Sequence, residues 1–112
     1  MAEKTNLGEF EQVILLAILR LQGEGAYGVP IRAEITALTE RNPAPGAIYT
    51  TLDRLERKGF VTSSIGEATR ERGGRAKRYY KLTSGGLQSL KRAQKDFQNL
   101  AQGITLLGGP IV

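Results

Sequence analysis

A helix that stops at a glycine and hands over directly to a strand constrains this chain more than any other feature. The run Gly46-Ala-Ile-Tyr-Thr-Thr-Leu-Asp-Arg-Leu-Glu-Arg-Lys-Gly-Phe-Val carries Ile48, Leu52 and Leu55 at helical spacing and closes at Gly59. A charged, glycine-containing loop follows from Gly66 to Arg75, and Ala76-Lys-Arg-Tyr-Tyr-Lys-Leu returns as a second strand. Nine cations (Arg54, Arg57, Lys58, Arg70, Arg72, Arg75, Lys77, Arg78 and Lys81) face three acids here, Glu56, Glu67 and Glu71. That local excess of six exceeds the +5 of the whole chain, so the remainder is close to neutral. A helix beside a basic hairpin is what a winged helix presents to DNA.

The 112 residues allow one domain with a modest core. A pI near 9.8 favours polyanionic partners. With no cysteine, disulfides and thiolate metal sites are excluded. With no histidine, the commonest general base and metal ligand is missing too. Asp53 and Asp96 stand alone in helical segments and the glutamates are scattered among cations, so no catalytic carboxylate pair emerges and no cofactor is expected. Glu3, Glu9 and Glu11 flank the apolar run from Val13 to Leu19, where a secretion signal would carry cations and a cleavage site. That run is also far short of the ~20 apolar residues a membrane span needs, so a cytoplasmic protein is expected.

Asn6 followed by Glu9 predicts a capped first helix over residues 6–22. It is apolar around most of its circumference and so needs cover on more than one side. A second helix is expected from Val29-Pro30, with Ile31, Ile35 and Leu38 as its core stripe. The third runs from Pro45 to Lys58, and residues 60–65 and 77–82 pair as antiparallel strands. Thr83 caps a last helix to about Gln102, despite the poor start that Gly85 and Gly86 give it. Its apolar positions step by threes and fours, close to a heptad seam. The fold class is mainly α with a small antiparallel β-hairpin: a winged helix-turn-helix over residues 1–82, a dimerisation helix over 83–105 and a tail over 106–112.

The chain resembles the PadR family of transcriptional regulators. That family shows a Tyr-Gly pair opening the second helix, a Gly-x-x-Tyr-x-x-Leu-x-x-Leu-Glu-x-x-Gly segment and a Tyr-Tyr-x-Leu-Thr-x-x-Gly exit from the wing. The matching residues here are Tyr27 and Gly28, then Gly46, Tyr49, Leu52, Leu55, Glu56 and Gly59, then Tyr79, Tyr80, Leu82, Thr83 and Gly86. Pro30 and Ala44 depart from the pattern; Ala44 replaces a Ser or Thr cap, a loss that typically costs about 1 kcal/mol. The short C-terminal part looks like the small subgroup with one dimerisation helix. The resemblance implies a response to a small-molecule effector near the dimer interface, although no polar constellation specifies one.

On this reading Tyr49 bonds a phosphate and Thr50 lies near base edges; the alternative makes Tyr49 a half-buried aromatic with a wet hydroxyl. Arg54, one turn beyond Thr50, and Lys58 reach DNA, whereas Arg57 is read as ordinary solvated surface. Arg70, Arg72, Arg75 and Lys77 give the hairpin charge and reach for phosphate or minor-groove contact, or else form a solubilising loop. Gly73-Gly74 is not a nucleotide loop, since no Gly-Lys-Ser/Thr follows. Phe10 and Ile14 of the first helix and Leu87, Leu90, Phe97, Leu100 and Ile104 of the last are expected to bury across a two-fold axis. Together these features describe a dimeric regulator, a repressor, that binds an inverted repeat in double-stranded DNA, with no membrane partner. The rival functions are a winged-helix protein-interaction module and a non-specific architectural DNA binder.

Overall fold

Helix α1 (Glu9–Arg20) is built around Ile14, Leu15, Ala17 and Ile18, all buried. In the computed structural model of the chain, residues 7–22, 25–66 and 76–104 are described. Its opening differs from the expected pairing of Asn6 with Glu9. Gly8 is the cap residue, and the Glu11 carboxylate accepts the Gly8 N–H at 2.8 Å. Asn6 lies outside the described residues.

Helix α2 (Gly28–Leu38) starts one residue before the expected Val29 and buries Ile31 and Ile35. Leu38, expected in the same stripe, is instead exposed: it is the last residue of the helix, with no following turn to carry packing over it. Thr39 ends α2, its hydroxyl donating to the Ile35 carbonyl at 2.7 Å and accepting the Arg41 N–H at 3.0 Å.

Helix α3 (Pro45–Arg57) follows with proline in its first turn and no side-chain cap from Ala44. Ile48, Leu52 and Leu55 are fully buried, as their spacing predicts. Gly59 adopts φ +83°, the Gly59 N–H reaches the Glu56 carbonyl at 3.0 Å, and the Phe60 N–H reaches the Leu55 carbonyl at 2.9 Å. This pair of bonds satisfies the last carbonyls and turns the chain straight into the sheet.

Strands β1 (Val61–Ile65) and β2 (Arg78–Leu82) are antiparallel, with Val61 opposite Leu82 and Ile65 opposite Arg78. Val61 and Tyr80 face the core. The other edge of β2 is not bare, because the Tyr80 N–H donates to the Ala26 carbonyl at 2.9 Å and ties the hairpin to the approach to α2.

Helix α4 (Ser84–Ala101) is fastened at its start. The Thr83 hydroxyl accepts the Gly86 N–H at 3.0 Å and donates to the Gly59 carbonyl at 2.7 Å, while the Thr83 N–H reaches the Phe60 carbonyl at 3.0 Å. Gly86, Ser89 and Leu90 are buried against the body of the domain, and no residue of α4 after Leu90 is buried. Among the described residues, no helix is long and apolar enough to cross a membrane.

Candidate nucleic-acid interface

The face of α3 left outside by its packing follows from helix geometry. At about 100° per residue, Ile48, Thr51, Leu52 and Leu55 turn inward, and Gly46, Thr50, Asp53 and Arg57 form the opposite ridge. All four ridge residues are exposed, and the Arg57 guanidinium meets the Asp53 carboxylate at 3.1 Å across one turn. Arg57, expected only as solvated surface, therefore stands at the centre of the outward face beside Thr50. The sequence already held this signal, since Arg57 lies seven residues after Thr50.

Tyr49 occupies one flank of the ridge. A Cβ at Gly28 would overlap the Tyr49 hydroxyl and ring edge, so the hydroxyl end of the ring rests against the first turn of α2 with about half of the residue exposed. That single contact links two of the motif residues, Gly28 and Tyr49. Only a glycine lets the aromatic ring approach this closely.

Beyond Tyr49, the base of the hairpin is an aromatic cluster. Tyr27 and Tyr79 meet edge to face with centroids 5.3 Å apart, and the Lys77 ammonium lies 5.3 Å from the Tyr27 ring centre. The Arg78 guanidinium donates to the Ser63 hydroxyl at 3.0 Å, which in turn donates to Glu56 at 2.8 Å, joining both strands to α3. Arg70, Arg72 and Arg75 lie outside the described residues.

The opposite flank of the ridge holds Arg54 and Lys58, and neither is free. Arg54 Nε lies 3.1 Å from Glu11 Oε2, and Lys58 Nζ lies 3.0 and 2.8 Å from the two Glu11 oxygens. Glu11 is the only buried charged residue among those described. Burial alone would raise its carboxyl above the ordinary range, but Lys58, the Gly8 amide and Arg54 together outweigh it and hold the group below that range. A depressed carboxylate contributes stability that is complete above its unfolded value, about pH 4.3, and is lost as pH falls through the lower folded value. Urea midpoints taken from about pH 6 down to pH 3 are expected to fall along this limb, and Glu11→Gln is expected to flatten it.

The residues expected at a dimer seam divide in two. Ile14 is 0% exposed and Leu90 3%, so both belong to the protomer's own core and neither can meet a partner. Phe10 is half-buried, with the Arg41 guanidinium 6.0 Å from its ring centre. Leu87, Phe97, Leu100 and Ile104 are exposed. A cleft of about 830 Å³ opens beside Leu87, between the end of α1 and the sheet, lined by Leu19, Gln22, Tyr79, Lys81 and Leu82 among others. Among the described residues no cluster of acidic side chains could hold a metal ion.

The same architecture occurs in solved structures. A PadR family transcription regulator from Clostridium difficile R20291 superposes with a TM-score of 0.68 at 21% identity, over 89% of this chain and 99% of that one. A PadR-like transcriptional regulator from Bacillus cereus gives 0.67 at 21% identity, over 89% and 92%. A PadR family regulator from Eggerthella lenta gives 0.66 at 22% identity, over 88% and 85%. A search of curated proteins finds no match. The family described as the transcriptional regulator PadR-like family matches residues 15–92, a span that contains the α3 ridge and the hairpin. The chain belongs to the PadR-like family of DNA-binding transcriptional regulators, whose members are regulators of transcription and not enzymes.

Proposed function

We propose that this protein is a cytoplasmic repressor that binds an inverted-repeat operator as a homodimer. The observation that carries the reading is the exposed ridge of α3, flanked by Tyr49 and by a hairpin whose base presents Lys77. Thr50 and Arg57 on the ridge enter the major groove and contact base edges. Tyr49 and Lys77, with Arg70, Arg72 and Arg75 of the hairpin, bond phosphates and fix the register. Arg54 and Lys58 border the same groove. The second copy docks on the exposed side of α4, at Leu87, Phe97, Leu100 and Ile104. A small-molecule effector would enter the cleft beside Leu87, where it would touch the same helix.

The test is to recover preferred duplexes from random fragments with the purified protein, then compete the recovered site against random duplex at fixed salt. The site is expected to be an inverted repeat with half-site centres about 34 Å apart. Thr50→Ala is expected to narrow the gap between recovered and random duplex by about 1–3 kcal/mol while leaving the fold intact. Equal affinity for both duplexes in the unmodified protein overturns the operator reading and favours an architectural DNA binder or a protein-interaction module.

A further inference from the structure

Glu11 sits where an apolar residue would serve the core. It precedes Ile14, Leu15 and Ile18 by three, four and seven residues, so it lies on the buried stripe of α1. Instead of packing, its carboxylate reaches across to α3 and takes both cations of one flank. Each oxygen is used twice: Oε1 accepts from the Gly8 amide and from Lys58, and Oε2 from Lys58 and from Arg54. Arg54 and Lys58 keep part of their surface, with side chains 48% and 30% exposed, but Arg54 Nε and Lys58 Nζ are directed to Glu11 on α1. A carboxylate bonded by a guanidinium and an ammonium presents those cations with the same chemistry as a phosphate oxygen pair.

We propose that Glu11 is a positioning residue that stands in for a DNA phosphate, holding Arg54 and Lys58 back from the duplex and so limiting sequence-independent affinity. The inference deepens the DNA-binding reading above and rests on it. Non-specific binding is supplied almost wholly by phosphate contacts, and every withheld cation lowers it. A regulator must find its site among a large excess of random duplex, so two cations tied to one carboxylate of the protein leave a larger share of the contact to the Thr50 and Arg57 ridge.

The measurement is binding of a labelled random duplex across a salt series, with the unmodified protein, Glu11→Gln, Lys58→Gln and the double variant. Glu11→Gln keeps an oxygen for the Gly8 amide and removes the charge. It is expected to tighten random-duplex binding near 0.1 M salt by about tenfold, and to steepen the log-log slope by about 0.9, for each cation released per subunit. Lys58→Gln alone is expected to leave the slope nearly unchanged, because Lys58 is already engaged; on the Glu11→Gln background it is expected to remove the Lys58 share of the added steepness, about 0.9 per subunit, and leave the Arg54 share. An unmodified slope in Glu11→Gln reduces Glu11 to a structural ion pair and overturns the proposal. A slope shallower by about 0.9 per subunit in Lys58→Gln alone also overturns it, since Lys58 would then already meet phosphate. If Glu11→Gln fails to fold, Lys58→Gln and Arg54→Gln decide by the same criterion. Preference for a recovered site over random duplex is read separately in the unmodified protein. Its absence would defeat the operator reading, while an unchanged salt slope defeats only the role given to Glu11.

Discussion

Phe97→Glu combined with Leu100→Glu is expected to give a folded monomer that has lost operator binding. The two side chains are 58% and 76% exposed in the protomer, so nothing in its own core depends on them. Leu90 and Phe97 are seven residues apart on one stripe of α4, yet Leu90 is 3% exposed. The stripe therefore begins inside the domain and runs out uncovered, where the proposed second copy would dock. Two carboxylates placed on it would have to lose their hydration on association, which a small dimer interface cannot offset. Light scattering is expected to report a dimer for the unmodified protein and a monomer for the variant, with unchanged thermal unfolding of the protomer at low concentration. Because the proposed operator binding needs two half-sites held at fixed spacing, binding is expected to fall at least about a hundredfold, toward the level for random duplex. The contrast is Leu90→Glu, which buries a charge in the protomer's core and is expected to prevent folding altogether. A double variant that remains a dimer would place the association surface elsewhere.

That contrast also marks where the sequence is legible. Periodicity identifies which face of a helix is apolar; it does not say what covers that face. Ile14 and Leu90 carry the same pattern as Phe97 and Ile104, but the first two are absorbed by the protomer and the others are not. The apolar excess of α1, expected to need a partner, is largely covered by the protomer itself. The path from α3 through Gly59 into β1 was readable because a positive φ, a cap and a change of period coincide at one residue. At the interface, helix geometry places Thr50 and Arg57 on one ridge, and Arg57 is the exposed, solvated side chain its sequence position implies, paired there with Asp53. The partners of Arg54 and Lys58 were hidden for a different reason: Glu11 lies 43 and 47 residues away in the chain. A charged residue on the buried stripe of α1 was the available sign, and its position marks it as a group that needs partners from another element.

Gly86→Ala is expected to unsettle the whole chain, although Gly85→Ala one residue earlier is not. A Cβ at Gly86 would overlap the Phe60 carbonyl oxygen and lie 2.9 Å from its carbon, and backbone atoms cannot step aside as a side chain can. The first turn of α4 would have to lift, which pulls on the Thr83 bonds to Gly59 and Phe60 and on the packing of Ser89 and Leu90. Overpacking of this kind costs about 1–3 kcal/mol and each strained hydrogen bond about 0.5–1.5 kcal/mol, so a loss near 3 kcal/mol is expected. For a domain of this size that corresponds to a drop in Tm of about 10–20 °C. A Cβ at Gly85 meets the Thr83 hydroxyl oxygen at 3.7 Å and the Gly59 carbonyl oxygen at 4.0 Å, both ordinary contacts. Replacing glycine by alanine within a helix then stabilises by about 0.5–1 kcal/mol. Thermal denaturation of the two variants is expected to move in opposite directions. Equal shifts would mean that α4 does not rest on Phe60. The consequence extends past stability, because α4 carries Phe97 and Leu100. In the proposed dimer, a helix lifted at Gly86 would alter the separation of the two α3 ridges, so Gly86→Ala is expected to weaken operator binding even at temperatures where the protein remains folded.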